Sequence, residues 1–242
     1  MLKYLIPLLF LMVTCKKKQH ISQKRQSEIN ALNMMDTLQE PFLNSMPDSM
    51  KKWISVFAAI RKADQKYRSV SDPDLLKNNS EKQIKLDLMN QATINSFLEK
   101  YGYPTLHQVG LKAMLAISMV IQHSDIKMQE KYYPYVKHGY INGTIPGEIL
   151  ALLEDRINAL NKRYQFYGTQ LITYKKTPTP FPLYNVDSVD IYRKRIGLNK
   201  TLGAYLKLYF NVQWDVSIYK KILPELLKTT KANNLTGIHF QK

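Results

Sequence analysis

The chain has 242 residues, of which 45% are hydrophobic and 22% charged, a composition typical of a globular protein with a buried core. Its 35 Lys and Arg residues against 19 Asp and Glu residues give a formal net charge of +16, which favours anionic partners. A basic surface that is merely solvated, without a specific partner, is an equally consistent interpretation. The single Cys excludes an intramolecular disulfide.

The first residues have the pattern of a signal peptide. Lys3 supplies a positive start, and the apolar run 4–13 is too short to span a bilayer, which needs about 20 residues. Thr14 and Cys15 follow, and Leu-Met-Val-Thr-Cys resembles a bacterial lipobox, in which the Cys is lipidated and becomes the mature N-terminus. We therefore predict a signal peptide over 1–14, lipidation at Cys15 and a membrane-anchored lipoprotein of the bacterial cell envelope. An incidental Cys behind an uncleaved start is the alternative.

Residues 15–48 are predicted to form the lipidated cysteine and a basic tether, suited to lying along an anionic lipid surface. The expected partner is the lipid membrane through Cys15, with anionic lipid or polymer as a further partner. Nucleic-acid binding ranks last, because it rests on net charge alone and an envelope protein meets no genomic DNA.

Residues 49–210 are predicted to form a mainly α, single-domain helical bundle. Helical spacing of apolar residues predicts helices over 50–70 and 81–101. A third helix over 108–125 is apolar nearly all round, which is typical of a helix buried in a bundle, and a fourth follows over 126–137. The expected apolar stripes are Trp53, Phe57, Ile60 and Tyr67 in the first helix and Ile84, Leu88, Ile94 and Leu98 in the second.

The second half contains the only predicted extended segment. Pro146 opens a helix that continues to Arg163, and β-branched and aromatic residues predict a short extended segment near 165–174. Residues 177–182, with three prolines, are predicted to be a loop. Two short helices are expected up to Tyr209. The remainder, 211–242, is predicted to be a basic C-terminal extension with one helical pattern that ends before Pro224.

Polar side chains interrupt the apolar stripes of four predicted helices. They are Asp64, Asp87, His123 and Arg156. Because a lone buried charge costs several kcal/mol, these groups are expected to find one another, with Arg156 pairing with Asp64, Asp87 or both and His123 nearby. Such a cluster is either a structural network or the lining of a pocket, and the sequence leaves both open.

His123 has two interpretations. A histidine at a helix C-terminus is favoured by the helix dipole and can simply cap carbonyls. It can also act as a general acid/base, because imidazole titrates near neutral pH. The other four histidines show no metal-ligand spacing with it, so no metal site is predicted, and the cofactor stays unknown.

Several motifs occur in an order that resembles the bacterial domain-of-unknown-function family 6624. They are Arg61-x-x-Asp64, Asp87-x-x-Asn90, Tyr101-Gly102-Tyr103-Pro104, Gln122-His123-Ser124-Asp125, Asp155-Arg156, Gln165-x-Tyr167-Gly168-Thr169-Gln170 and Asp190-x-x-Arg193. The resemblance spans about Phe57 to Tyr205 and implies no established activity. It does imply that the polar residues share a site. The binding residues that it adds to the predicted cluster are Asn90, Gln122, Asp125, Asp155, Gln165, Tyr167 and Gln170.

Two functions follow as hypotheses. The first is an envelope lipoprotein whose His/Asp/Arg cluster binds a ligand or stabilises the fold. The alternative is a hydrolase or transferase acting on an anionic envelope component. In that enzyme His123 would be the acid/base, Asp64 or Asp87 would orient it, and Arg156 would hold a negative charge. The sequence leaves open whether the protein is an enzyme.

Overall fold

The computed structural model describes residues 48–65 and 73–232. These residues form eight α-helices and one two-stranded sheet, so the mainly α prediction is confirmed. The signal peptide, Cys15 and the tether lie outside the described residues. None of the described helices is long and apolar enough to cross a membrane.

The described chain divides into two compact units between Val120 and Ile121. The first unit contains α1 (Asp48–Gln65), α2 (Pro73–Tyr101) and most of α3 (Leu106–His123). Helix α3 is nearly the predicted third helix, but its helical geometry breaks at Gly110, whose φ of 74° lies in the left-handed region.

Helices α1 and α2 pack through an aromatic seam. The ring centroids of Phe57 and Phe97 are 4.9 Å apart. The ring centroid of Trp53 is 5.0 Å from that of Phe97 and 6.2 Å from that of Tyr101. The order of the contacting residues along α2 is therefore the reverse of their order along α1, so the two helices are antiparallel. Each helix presents a stripe at heptad-like spacing to the other.

The buried face of α2 is not the predicted one. Ile94 and Leu98 are buried, but Ile84 and Leu88 are 58% and 60% exposed, so the prediction was wrong for both. The seam instead continues toward the N-terminus of α2 through Asn90 and Gln83, both buried. The aromatic pairs fix how α2 is rotated, and that rotation turns Ile84 and Leu88 outward.

The second unit contains α4 (Ile126–Ile141), α5 (Gly147–Leu160), a β-hairpin and three further helices. The hairpin pairs β1 (Leu171–Tyr174) with β2 (Thr177–Pro180), antiparallel. Strand β1 lies inside the predicted extended segment. Three helices complete the unit: α6 (Val189–Arg195), α7 (Leu202–Phe210) and α8 (Val216–Thr230).

Two proline predictions were wrong. The proline-rich segment forms β2 rather than a loop, because a strand in a two-stranded sheet has an outer edge on which Pro178 and Pro180 lose no ladder hydrogen bond. Pro224 lies inside α8 rather than at its end. It is exposed, and the buried Tyr219 and Leu226 on either side anchor the helix to the core.

Candidate functional site

The polar corner at residues 122–125 joins α3 to α4. The side chain of Gln122 donates to the carbonyl oxygen of Leu152 on α5 at 3.2 Å. Gln129, which is fully buried on α4, donates to the carbonyl oxygens of Gln122 at 3.3 Å and Ser124 at 2.9 Å. The corner is therefore fixed to both following helices.

The other polar residues of the corner have distinct roles. Asp125 is the N-cap of α4, and its carboxylate accepts a hydrogen bond from the Met128 backbone N–H at 2.9 Å. Ser124 donates to the carbonyl oxygen of Ile121 at 2.7 Å and closes the end of α3. His123 is half-buried at the last position of α3, so its imidazole is partly exposed on a rigid corner.

Asp155 on α5 is fully buried and is surrounded by hydrogen-bond donors from one loop. Its carboxylate accepts from the backbone N–H groups of Phe166 at 2.8 Å, Tyr167 at 3.2 Å and Thr169 at 2.9 Å. The Thr169 hydroxyl donates a further bond at 2.9 Å. The carboxylate therefore holds the loop 165–170 on α5.

Burial and hydrogen bonding act on Asp155 in opposite directions. Burial raises the pKa of its carboxyl and the bonds from Thr169, Phe166 and Tyr167 lower it, and the net result is a rise from 3.8 to about 6. The desolvation of the charged form is thus the larger effect. The carboxylate oxygens of Asp155 already accept hydrogen bonds from the loop. The role of Asp155 is therefore to hold neighbouring residues in place.

Gln165 locks the same loop from within. Its side-chain N–H groups donate to the carbonyl oxygens of Gln170 at 2.9 Å and Phe181 at 2.7 Å, and its side-chain oxygen accepts from the Gln170 N–H at 2.9 Å. All three bonds are buried, where an unmade bond would be expensive. The side chain of Gln165 thus fixes where Gln170 points.

Arg156 is the one cation of α5 and is half-buried. Its Nη1 donates to the side-chain oxygen of Gln170 at 3.3 Å. The structure therefore brings Arg156 together with the predicted residues Asp155, Gln165, Tyr167 and Gln170. The predicted pairing of Arg156 with Asp64 or Asp87 would join the two units and stays a prediction.

Asp64 and Asn90 lie in the first unit, at the polar end of the α1–α2 seam. Asp64 is seven residues after Phe57 and Asn90 is seven before Phe97, so the two occupy the same level of the antiparallel pair. They are 1% and 6% exposed, respectively. Asp87, one turn away from Asn90, accepts a hydrogen bond from Gln83 at 2.7 Å. Asp64, Asp87 and Asn90 thus share one seam.

Arg193 on α6 was missed as a site residue. It is buried, and it donates to the carbonyl oxygens of Tyr167 at 2.6 Å and Lys200 at 2.7 Å, so it fixes the far side of the loop that Asp155 holds. Its place in the motif Asp190-x-x-Arg193 was an available signal. Its guanidinium also lies over the Tyr205 ring, 5.0 Å from the ring centroid.

Glu154 was also missed. It is fully buried on α5. The pKa values of the Tyr133 and Tyr167 phenols are raised well above 10, first by the burial of each phenol and next by the negative charge of Glu154. The available signal was its position four residues after Leu150 and three before Ile157, inside the apolar stripe. Two neighbouring carboxyl groups of α5, at 154 and 155, are therefore buried beside the loop.

The model of a family described as "Family of unknown function (DUF6624)" matches residues 57–214, more than half of the chain. The chain belongs to DUF6624. No curated protein and no solved structure matches it. The DUF6624 match includes the corner, the Asp155 loop and Arg193, whereas α8 lies beyond its end.

The region carries basic side chains on a hydrogen-bonded scaffold. Among the residues described, no group of three or more His, Cys, Asp or Glu side chains could hold a metal ion. His123 and Arg156 are partly exposed, and both lie on a buried and extensively hydrogen-bonded scaffold. Such a scaffold pre-organises the groups it carries.

Proposed function

We propose that this DUF6624 chain is a lipid-anchored bacterial envelope protein that binds an anionic ligand through His123 and Arg156. The observation that supports the pairing is the hydrogen bond from Gln122 to Leu152, because Gln122 precedes His123 and Leu152 lies one helical turn before Arg156. His123 and Arg156 therefore lie within one helical turn of two residues that hydrogen-bond to each other, which supports placing them in one site.

Arg156 has the chemistry for this role. A guanidinium presents several N–H donors in a planar fork that matches carboxylate and phosphate oxygens. Its Nη1 donates a hydrogen bond to Gln170, and that glutamine is itself held by Gln165. The formal net charge of +16 would raise the local concentration of any anion.

Asp155, the nearest carboxylate in sequence to Arg156, accepts hydrogen bonds from the N–H groups of its loop and has a positioning role. The hydrolase or transferase alternative would show itself as turnover that is lost in the His123 variant.

Anion binding is tested by thermal unfolding of the full chain in detergent with increasing inorganic phosphate. A ligand at 100 times its Kd stabilises the native state by about 2.7 kcal/mol, which raises the Tm by a few degrees. We expect this rise in the wild type and its loss in Arg156→Gln. Arg195→Gln, which removes the same charge from an exposed position, is the matched control and should keep it. An equal rise in both variants would contradict the proposal.

The anchor is tested separately. Membrane fractions of cells that express the full chain should contain the wild type, and Cys15→Ala should shift the protein to the soluble fraction because no acyl group is attached. Mass spectrometry of the wild type should find the lipid on Cys15. Unlipidated Cys15 in a membrane-bound protein would contradict the lipoprotein assignment without affecting the anion site.

A further inference from the structure

A groove separates the β-hairpin from residues 212–215, the segment that leads into α8. Its volume is about 260 Å³, and it lies in the second unit. Its walls are mainly apolar, and they include Pro180, Leu206, Val212, Trp214, Ile218 and Ile222. Ligand sites in proteins are concave and mostly apolar, with a few polar groups that orient the ligand.

Helix α8 holds the groove open in one geometry. The Tyr219 hydroxyl accepts from the Leu183 N–H and donates to the Phe181 carbonyl oxygen, both at 3.1 Å. At the other end of the hairpin, Tyr174 donates to the carboxylate of Glu225 on α8. Hydrogen bonds therefore tie both walls of the groove together.

Two lysines at one end of the groove adopt a backbone conformation that lysine rarely adopts. Lys175 and Lys176 form the hairpin tip with φ values of 47° and 66°, in the left-handed region where a two-residue hairpin turn favours Asn and Gly. Lys175 lines the groove and contacts Glu225 at 3.3 Å, and Lys176 is exposed beside it. Strained lysines at this tip point to a use for their side chains.

We propose that this groove binds a single-chain anionic amphiphile of the fatty-acid type, with its chain along the apolar walls and its carboxylate at the lysine tip. The volume suits one linear chain rather than a two-chain lipid. Trp214 and Tyr219, with ring centroids 5.0 Å apart and ring planes inclined at 50°, provide aromatic contacts for the methylene groups. The groove includes part of α8, so it goes beyond the region shared with DUF6624.

The chain offers a direct probe, because it contains only two tryptophans. In a Trp53→Phe background, Trp214 is the single indole, and Phe keeps an aromatic ring in the α1–α2 seam. The full chain in zwitterionic nanodiscs is titrated with 11-bromoundecanoate, whose bromine quenches an indole only at short range. We expect saturable quenching, and at least tenfold weaker quenching by the neutral methyl ester and by the short 6-bromohexanoate.

Matched variants separate the groove from partitioning into the nanodisc lipid. Ile218→Glu places a charge in the groove at a residue that is 59% exposed, so the fold should tolerate it, and it should weaken binding at least tenfold. Leu208→Glu makes the same change at a residue that is 47% exposed and does not line the groove, and binding should be unchanged. Lys176→Glu should weaken binding severalfold, whereas Lys228→Glu should not.

Three results would overturn the proposal. They are identical quenching in Ile218→Glu and Leu208→Glu, equal binding of the acid and its methyl ester, and quenching that never saturates. Binding only to anionic vesicles, with no response to the monomeric acid, would likewise assign this face to a membrane surface. Arg156→Gln should leave the quenching unchanged, so failure here and failure of the proposed anion site are distinguishable.

Discussion

Replacing Asp155 by Ala removes the acceptor on which the loop 165–170 depends. The backbone N–H groups of Phe166, Tyr167 and Thr169 then remain buried without their carboxylate partner. Each buried donor that loses its acceptor costs about 1–3 kcal/mol, so the three together cost about 6 kcal/mol. This loss acts on the folded state, because the unfolded loop is hydrogen-bonded to water.

The same substitution also removes a buried charge. The net rise of the Asp155 pKa from 3.8 to about 6, with burial outweighing the loop hydrogen bonds, corresponds to about 3 kcal/mol against the charged form at neutral pH. Alanine relieves this penalty. We therefore expect the free energy of unfolding to fall by about 3 kcal/mol at pH 7, a large part of the stability of an ordinary domain.

The pH dependence has a definite sign. Because the folded pKa lies above the unfolded value, protonation of Asp155 stabilises the wild type fully below about pH 3.8, and this contribution is lost as the pH rises through about 6. The alanine variant lacks this titration. The stability gap between wild type and variant should therefore widen, toward about 6 kcal/mol, as the pH is lowered from 7 to 4.

Urea unfolding followed by circular dichroism at several pH values measures the gap. Asp187→Ala is the matched control, because Asp187 forms an exposed ion pair with Lys220 at 2.7 Å and its removal should cost less than about 1 kcal/mol at every pH. A gap at Asp155 that narrows in acid would refute the reasoning. It would mean that the loop donors outweigh burial and hold the pKa below 3.8.

Two further predictions concern packing. Gly147→Ala would place a Cβ 1.7 Å from the Ile196 carbonyl oxygen, so we expect a loss of more than about 3 kcal/mol in urea unfolding. The matched Gly203→Ala meets only ordinary contacts from 3.4 Å and should be neutral or slightly stabilising. Leu88→Glu should change the melting temperature little, because the side chain is 60% exposed, whereas Ile94→Glu should prevent stable folding. Equal effects of these two glutamates would contradict the observed rotation of α2.

The helical class and the buried third helix were predictable because they depend on local properties. Apolar residues recur at 3.6-residue spacing whatever the rest of the chain does. The prediction of 108–125 therefore agrees within two residues with Leu106–His123. The same reasoning placed Asp64 on a buried face, where the structure finds it 1% exposed.

Rotation and strand pairing were not predictable from local pattern. The predicted stripe of α2 and the observed one both include Ile94, and the contacts of Phe97 with Trp53 and Phe57 on α1 decide which one is buried. Residues 177–182 have a loop-like composition, and only pairing with β1 makes part of them a strand. In each case the deciding partner is distant in sequence.

The sequence by itself determined that α1 carries Asp64 among apolar neighbours, because helical periodicity places residues three and four apart on one face. Only the tertiary structure decided what the buried polar residues do. The carboxylate of Asp155 engages N–H groups eleven to fourteen residues later, and Arg193 reaches the Tyr167 carbonyl across 26 residues. Such bonds depend on how the loop folds back onto α5, and backbone donors and acceptors leave no trace in side-chain identity.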